Sequence, residues 1–246
     1  MNARRVWEVA RKDLEEISTN KGALFGLIFV PALLTLLGVA STYMATQAVT
    51  DGRITAAQAP AAIYLSLLLM LLIPTTSSTV VGSMSVVLEK AGRTLEPLLA
   101  TPIRDRELLW GKAIPPLLIG VGGAYLAFGI VFLAGDIFLA AAHLPIEYPG
   151  WTGLFAMLVL ATLLGLLGSF VSLLISSRSK ELRTAQQLSF LLALPLFSGI
   201  IVAFALLPQT WAAYSAAVGI LTAATAGIIW LVTDRFQRAT ILIGAP

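Results

Sequence analysis

Few side chains in this sequence could run covalent or metal chemistry. His143 is the only histidine, and there is no cysteine. A zinc protease needs two histidines on one helix face in H-E-x-x-H, which a single histidine cannot supply. A serine protease working inside a membrane would need G-x-S-G and a histidine within its spans. His143 instead falls in a polar connector and reads as a solvated loop residue. No G-x-x-x-x-G-K-[ST] phosphate loop occurs, so the chain is expected to bind no ATP and no other cofactor itself. No catalytic, cofactor-binding or metal-binding residue is assigned. The chemistry left is recognition.

The stretch from Leu88 to Pro102 carries most of it. It reads Leu-Glu-Lys-Ala-Gly-Arg-Thr-Leu-Glu-Pro-Leu-Leu-Ala-Thr-Pro, with Glu89 and Lys90 near its start. Thr94 is a good N-cap, and Glu96 lies in the first turn, where a negative charge is favoured. Pro97 is tolerated there because its missing N–H would be unpaired anyway. Thr101 precedes Pro102, which ends the helix. The result is a helix of about two turns whose Leu95, Leu98 and Leu99 form one apolar face. Such a face on a charged loop needs a partner groove or a membrane surface. A second polar cluster follows Pro74: Thr75, Thr76, Ser77, Ser78 and Thr79. Its hydroxyls either satisfy carbonyls freed by the proline or line a wet cavity, and both readings stay open. Small residues at Gly120, Gly122 and Gly123, at Ala161, Gly165 and Ser169, and at Gly199 and Ala203 suit close helix packing.

These residues must be held by elements that fit their solvent. Of the 246 residues 58% are apolar and 12% charged, with a mean hydropathy of +0.89. A soluble domain carries about twice that charge, so lipid is part of the solvent. A hydrocarbon core of about 30 Å needs roughly 20 apolar helical residues to cross it. Six segments qualify: Gly22–Tyr43, Ile63–Val87, Ala113–Leu133, Leu154–Ile175, Ala185–Leu207 and Ala212–Val232. The expected fold is all-α and polytopic, one transmembrane domain over 1–246, with a polar region at 88–112. Residues 1–21 are too charged for a cleavable signal. Val6, Ala10, Leu14 and Ile17 recur there at helical spacing, with Trp7 beside them. Glu8, Arg11, Lys12, Asp13, Glu15 and Glu16 fall opposite, which predicts an amphipathic helix lying in the interface.

Orientation follows from the basic residues. One set of connectors holds 15 of the 16 Lys+Arg, and the other only Arg53. The rich set is expected in the cytoplasm with both termini, which gives an inner face of net +5 and an outer one of −2. The positive balance is thus a topology signal and implies no nucleic acid. Trp7, Trp110, Trp151, Trp211 and Trp230 fall at span ends, as an interfacial belt does. No Asp, Glu, Lys or Arg lies deep inside a predicted span, where a gradient-driven transporter usually keeps one.

Glu89-Lys90, then Thr94-Leu95-Glu96-Pro97-Leu98-Leu99-Ala100-Thr101-Pro102, then Glu107 and Gly111-Lys112, resemble the coupling-helix signature of type 2 ABC exporter permeases. Arg11-Lys12-Asp13-Leu14, Asn20-Lys21 and Pro31 are similar to that family's N-terminus. Ser176-Ser177-Arg178-Ser179-Lys180-Glu181, Ala185-Gln186-Gln187, Leu194-Pro195 and the tail Asp234-Arg235-Phe236-Gln237-Arg238 resemble its drug- and sodium-efflux branch. One departure is that Arg93 stands where the family usually has a glycine before Thr-Leu-Glu. The resemblance implies a half-transporter in the inner membrane that dimerises with a second copy or a paralogue. It also implies that Glu89, Thr94, Leu95, Glu96, Leu98, Leu99 and Thr101 couple to a separate cytoplasmic ABC ATPase. The rival expectations are a gradient-driven transporter or channel, and a non-transporting membrane scaffold.

Overall fold

The computed structural model describes residues 2–55, 58–92, 103–144, 150–179, 181–191 and 211–235, with 195 and 199. These residues form helices and no strand. Helix α1 is Ala3–Thr19, α2 Lys21–Thr50, α3 Ala59–Ala91, α4 Asp105–Ala141, α5 Gly150–Arg178 and α6 Trp211–Arg235. A further helical stretch covers 182–191. The chain is an all-α, multi-pass membrane protein. Five of the described helices, α2 to α6, are long and apolar enough to cross a membrane. The expected span at Ala185–Leu207 lies mostly outside the described residues.

Most of these helices outrun the spans read from hydropathy. Apolar character marks only the part that meets lipid, whereas capping decides where the helix ends. Helix α4 begins eight residues before Ala113, at Asp105. Its Glu107 side chain accepts the N–H of Arg104 at 3.2 Å, which satisfies a first-turn donor. At about 1.5 Å per residue, the 37 residues of α4 exceed the hydrocarbon thickness, so its ends stand in the polar zones. The other end closes at His143, an exposed residue in the left-handed region with φ 52°. There the Leu144 N–H donates to the Leu139 carbonyl at 3.1 Å, and so the single histidine serves as a backbone stop.

Helix α3 is central and packs on α2, α4 and α5, while α5 also carries α6. One apolar core gathers Leu67, Met70, Phe128, Val131, Leu160 and Leu164. A second, towards the basic end of the bundle, gathers Val86, Leu109, Phe170, Leu173 and Val232 and takes in Val9 of α1. Small residues set the spacing at two seams. A Cβ on Gly120 would lie 2.7 Å from the Pro74 carbonyl oxygen, so α3 and α4 meet backbone to backbone there. A Cβ on Gly111 would lie 2.7 Å from the Val9 Cβ, so the same helix also takes α1 at closest approach.

Helix α1 is amphipathic, but its inner face is rotated from the stripe read in the sequence. Val6, Val9, Ala10 and Asp13 are buried, Leu14 and Ile17 are half-buried, and Trp7 is exposed. Packing on α4, and not a lipid surface alone, selects that face. An acid is therefore part of the buried stripe.

Candidate functional site

The ends of α1, α3, α4 and α5 converge at the basic end of the bundle, and their charged side chains pair inward. Glu89, in the last turn of α3, is 3% exposed. Its Oε1 accepts from Lys12 Nζ of α1 at 2.8 Å, and its Oε2 lies 2.7 Å from Lys112 Nζ of α4. Lys112 is 1% exposed and is among the largest fully buried side chains. It also reaches Asp13 Oδ2 at 3.4 Å and donates to the Ser85 carbonyl at 3.3 Å. Ser85 Oγ completes the set by donating to Asp13 Oδ2 at 3.0 Å. Two ammonium groups and two carboxylates from three helices thus form a quartet with no formal net charge, in which Asp13, Glu89 and Lys112 are buried and Lys12 reaches solvent.

Charge balance is what makes that burial tolerable. An isolated buried ion costs several kcal/mol, and attraction offsets the cost only where partners are close. Burial pushes the Asp13 carboxyl above the usual carboxylate range, and Lys112 and the Ser85 hydrogen bond hold it back. At Lys12 burial alone would lower the ammonium, but the hydrogen bond and charge of Glu89 outweigh it and the group is raised. Lys12 therefore stays charged throughout the physiological range.

Two further ties close the same end. Glu107 Oε1 accepts the Asn2 N–H at 2.7 Å, and Arg5 stands 4.0 Å from Oε2, so the start of α1 is fixed to the start of α4. Lys90 Nζ donates to the carbonyls of Ser177 and Ser179, where the last carbonyls of α5 lack helical partners. Neighbouring Glu89 and Lys90 thus hold α1, α4 and α5 to the end of α3.

Of the residues singled out for coupling, Glu89 is turned into this quartet. Thr94, Leu95, Glu96, Leu98, Leu99 and Thr101 lie outside the described residues. The hydroxyl cluster sits in the α3 seams: Thr75, Ser77, Ser78 and Thr79 are buried and Thr76 is half-buried. Ser78 Oγ donates to the Pro116 carbonyl of α4 at 2.9 Å, and Thr76 Oγ1 to the Leu72 carbonyl of its own helix at 2.8 Å. Gly122 and Gly199 have open space where a Cβ would stand, and Ala203 is outside the described residues. Sequence reasoning missed Lys12 and Lys112 as the partners of Glu89, and Asp13 as the second acid paired with Lys112. The available signal was spacing: Asp13 follows Val6, Val9 and Ala10 at three- and four-residue steps, on one helix face.

Residues 37–235 match the family described as ABC-2 family transporter protein. That stretch is most of the chain. The chain belongs to the ABC-2 transporter family. Members are transmembrane permease components that normally work with a cytoplasmic ATPase subunit. No individually curated protein matches the sequence. The matched stretch of this ABC-2 member contains Glu89 and Lys112, whereas α1, with Lys12 and Asp13, precedes it.

Proposed function

We propose that this chain is the permease half of an ATP-driven exporter in the inner membrane, with both termini in the cytoplasm. It works as a dimer with a second copy or a paralogue and draws its energy from a separate cytoplasmic ATPase. The ATPase seats on the short helix expected over 95–101, through Leu95, Leu98 and Leu99. ATP-driven closure of two ATPase subunits tilts those helices and reopens the transport path outward. The family match over residues 37–235 carries this reading. The absence of a phosphate loop from the sequence supports a separate energy source.

The test is purification of the full chain from its native membrane in mild detergent. A polypeptide with a Walker phosphate loop is expected to copurify at about one copy per permease chain, a ratio implied by two ATPases acting on a dimer. Recovery of correctly inserted permease with no ATPase, under conditions that preserve its dimer, would overturn the proposal.

A further inference from the structure

The quartet sits at a particular place in the chain. Glu89 is two residues from the end of α3, which finishes at Ala91, immediately before the connector expected to meet the ATPase. One carboxylate there grips α1 through Lys12 and α4 through Lys112, at 2.8 and 2.7 Å. Helix α1 leads through Asn20 into α2. Its main packing is on α4, at the Val9–Gly111 approach, and on the quartet.

We propose that Glu89 and Lys112 are positioning residues of a latch that binds α1 and the start of α4 to the end of α3. A displacement of the connector after α3 then moves all three helix ends as one body. The inference rests on the proposed coupling function for the origin of that displacement, while the latch itself stands on the ion pairs. Its physical basis is the penalty for weakening the pairing of a buried carboxylate, since Glu89 is 3% exposed even though its Lys12 partner keeps 46% of its side chain in solvent. If α3 moves without α1, Lys12 and Glu89 part while Glu89 remains shielded from water. The low-energy path keeps the pairs intact and carries α1 along. Exposed pairs on the same helix, such as Arg11–Glu15, have water to replace either partner and transmit nothing of this kind.

The cysteine-free chain permits a direct test. Ala10→Cys puts a thiol at a fully buried point of α1. Inside-out vesicles carrying the full chain are treated with a charged maleimide that cannot cross lipid. Labelling is expected to be slow in the Ala10→Cys chain and faster by about tenfold or more when Glu89→Gln is added, because the quartet then holds one excess positive charge. Lys12→Met together with Glu89→Gln restores neutrality and is expected to bring the rate back towards the starting chain. Glu15→Gln serves as the exposed control and should leave it unchanged. Equal labelling with and without Glu89→Gln overturns the latch. So does a double variant that labels as fast as Glu89→Gln alone, since shape and not charge would then be at work.

A second arm reads coupling. In the complex with its ATPase, ATP plus vanadate is expected to change the labelling rate of the thiol at position 10 in the Ala10→Cys chain but not once Glu89→Gln is added, although that ATPase still hydrolyses ATP. An identical nucleotide response in both backgrounds overturns transmission through the latch. Failure of any ATPase to copurify with the starting chain would instead count against the proposed function, and the vesicle labelling would still decide the latch.

Discussion

Gly120 and Gly122 stand two residues apart on α4 and meet different surroundings. A Cβ at Gly120 would press on the Pro74 carbonyl, whereas one at Gly122 finds nothing within 4 Å. Gly120→Ala must therefore separate α3 from α4, an overpacking cost of about 1–3 kcal/mol. Gly122→Ala should be neutral or slightly stabilising, because alanine loses less backbone freedom in a helix. The midpoint of heat-induced unfolding in detergent checks the pair: Gly120→Ala falls, and Gly122→Ala stays at or above the parent. Both glycines are legible as packing residues, but the sequence alone does not tell the tight one from the open one. That depends on which face of α4 meets α3. The same holds for charge. Lys112 stands directly before the predicted span start at Ala113 and so reads as part of the polar region. Its burial follows from α1 folding over it, a tertiary fact that hydropathy does not encode.

At the scale of elements, helix existence is plain from the sequence, but two helix properties are not. Helix ends escape it where capping and inter-helix ties extend a helix beyond its apolar part, as Glu107 does for α4. The buried face of α1 escapes it because an apolar stripe matches a lipid surface, whereas the real partner is α4. The acid on that stripe makes docking sensitive to pH in a defined way. Asp13 is raised, so the folded chain holds its proton more tightly than the unfolded chain. That contribution is fully present below the unfolded value of about 3.9 and is lost as pH rises through the higher folded value. Asp13 faces Lys112 of α4, Glu89 and Ser85 of α3, and Lys12 of its own helix. Lys112→Met removes the largest influence that lowers it, so its carboxyl rises further and the sensitive window moves towards neutrality. Docking of α1 in Lys112→Met should then be firmer at pH 5.5 than at pH 8, and the parent should change less over that range. The measure is labelling of Ala10→Cys divided by labelling of an exposed Glu8→Cys reference, which removes the thiol's own pH dependence. A ratio for Lys112→Met that is flat with pH would refute the argument.

The short helix expected over 95–101 makes its own prediction. Burying Leu95, Leu98 and Leu99 in a partner groove is worth on the order of 5 kcal/mol before ordering costs. A carboxylate at the middle of that face cannot be solvated in such a groove. Leu98→Asp should release the ATPase while the chain remains inserted. Glu96→Ala should do less, since a first-turn carboxylate contributes about 0.3–1 kcal/mol to its helix. Copurification with insertion checked in parallel reads both, and retention of the ATPase at parental stoichiometry by Leu98→Asp would exclude this helix as the main contact.

At the scale of the whole molecule, the partition of basic residues and the packing give one constraint from independent sources. The Lys90 ammonium bonds the last carbonyls of α5, so the end of α3 and the end of α5 lie on the same side of the membrane. Two membrane-length helices, α4 and α5, separate them in the chain, which the same-side placement requires. Arg53 lies beyond the far end of α2, paired with Asp51 at 3.2 Å. Packing fixes sidedness only up to inversion, and the 15-to-1 division of basic residues selects between the two orientations. The rich side should be cytoplasmic, because translocating many cations across the bilayer is unfavourable. Two single-cysteine chains decide it. Arg53→Cys should react with an impermeant maleimide added to intact cells. Arg178→Cys should react only after the cells are opened, or in inside-out vesicles. Neither substitution endangers the orientation it reports: the first removes the only basic residue outside, and the second leaves fourteen inside. Labelling of the Arg178→Cys chain from outside, in cells that exclude the reagent from a cytosolic control protein, would invert the topology and move the quartet, and the connector beside it, out of reach of any cytoplasmic ATPase.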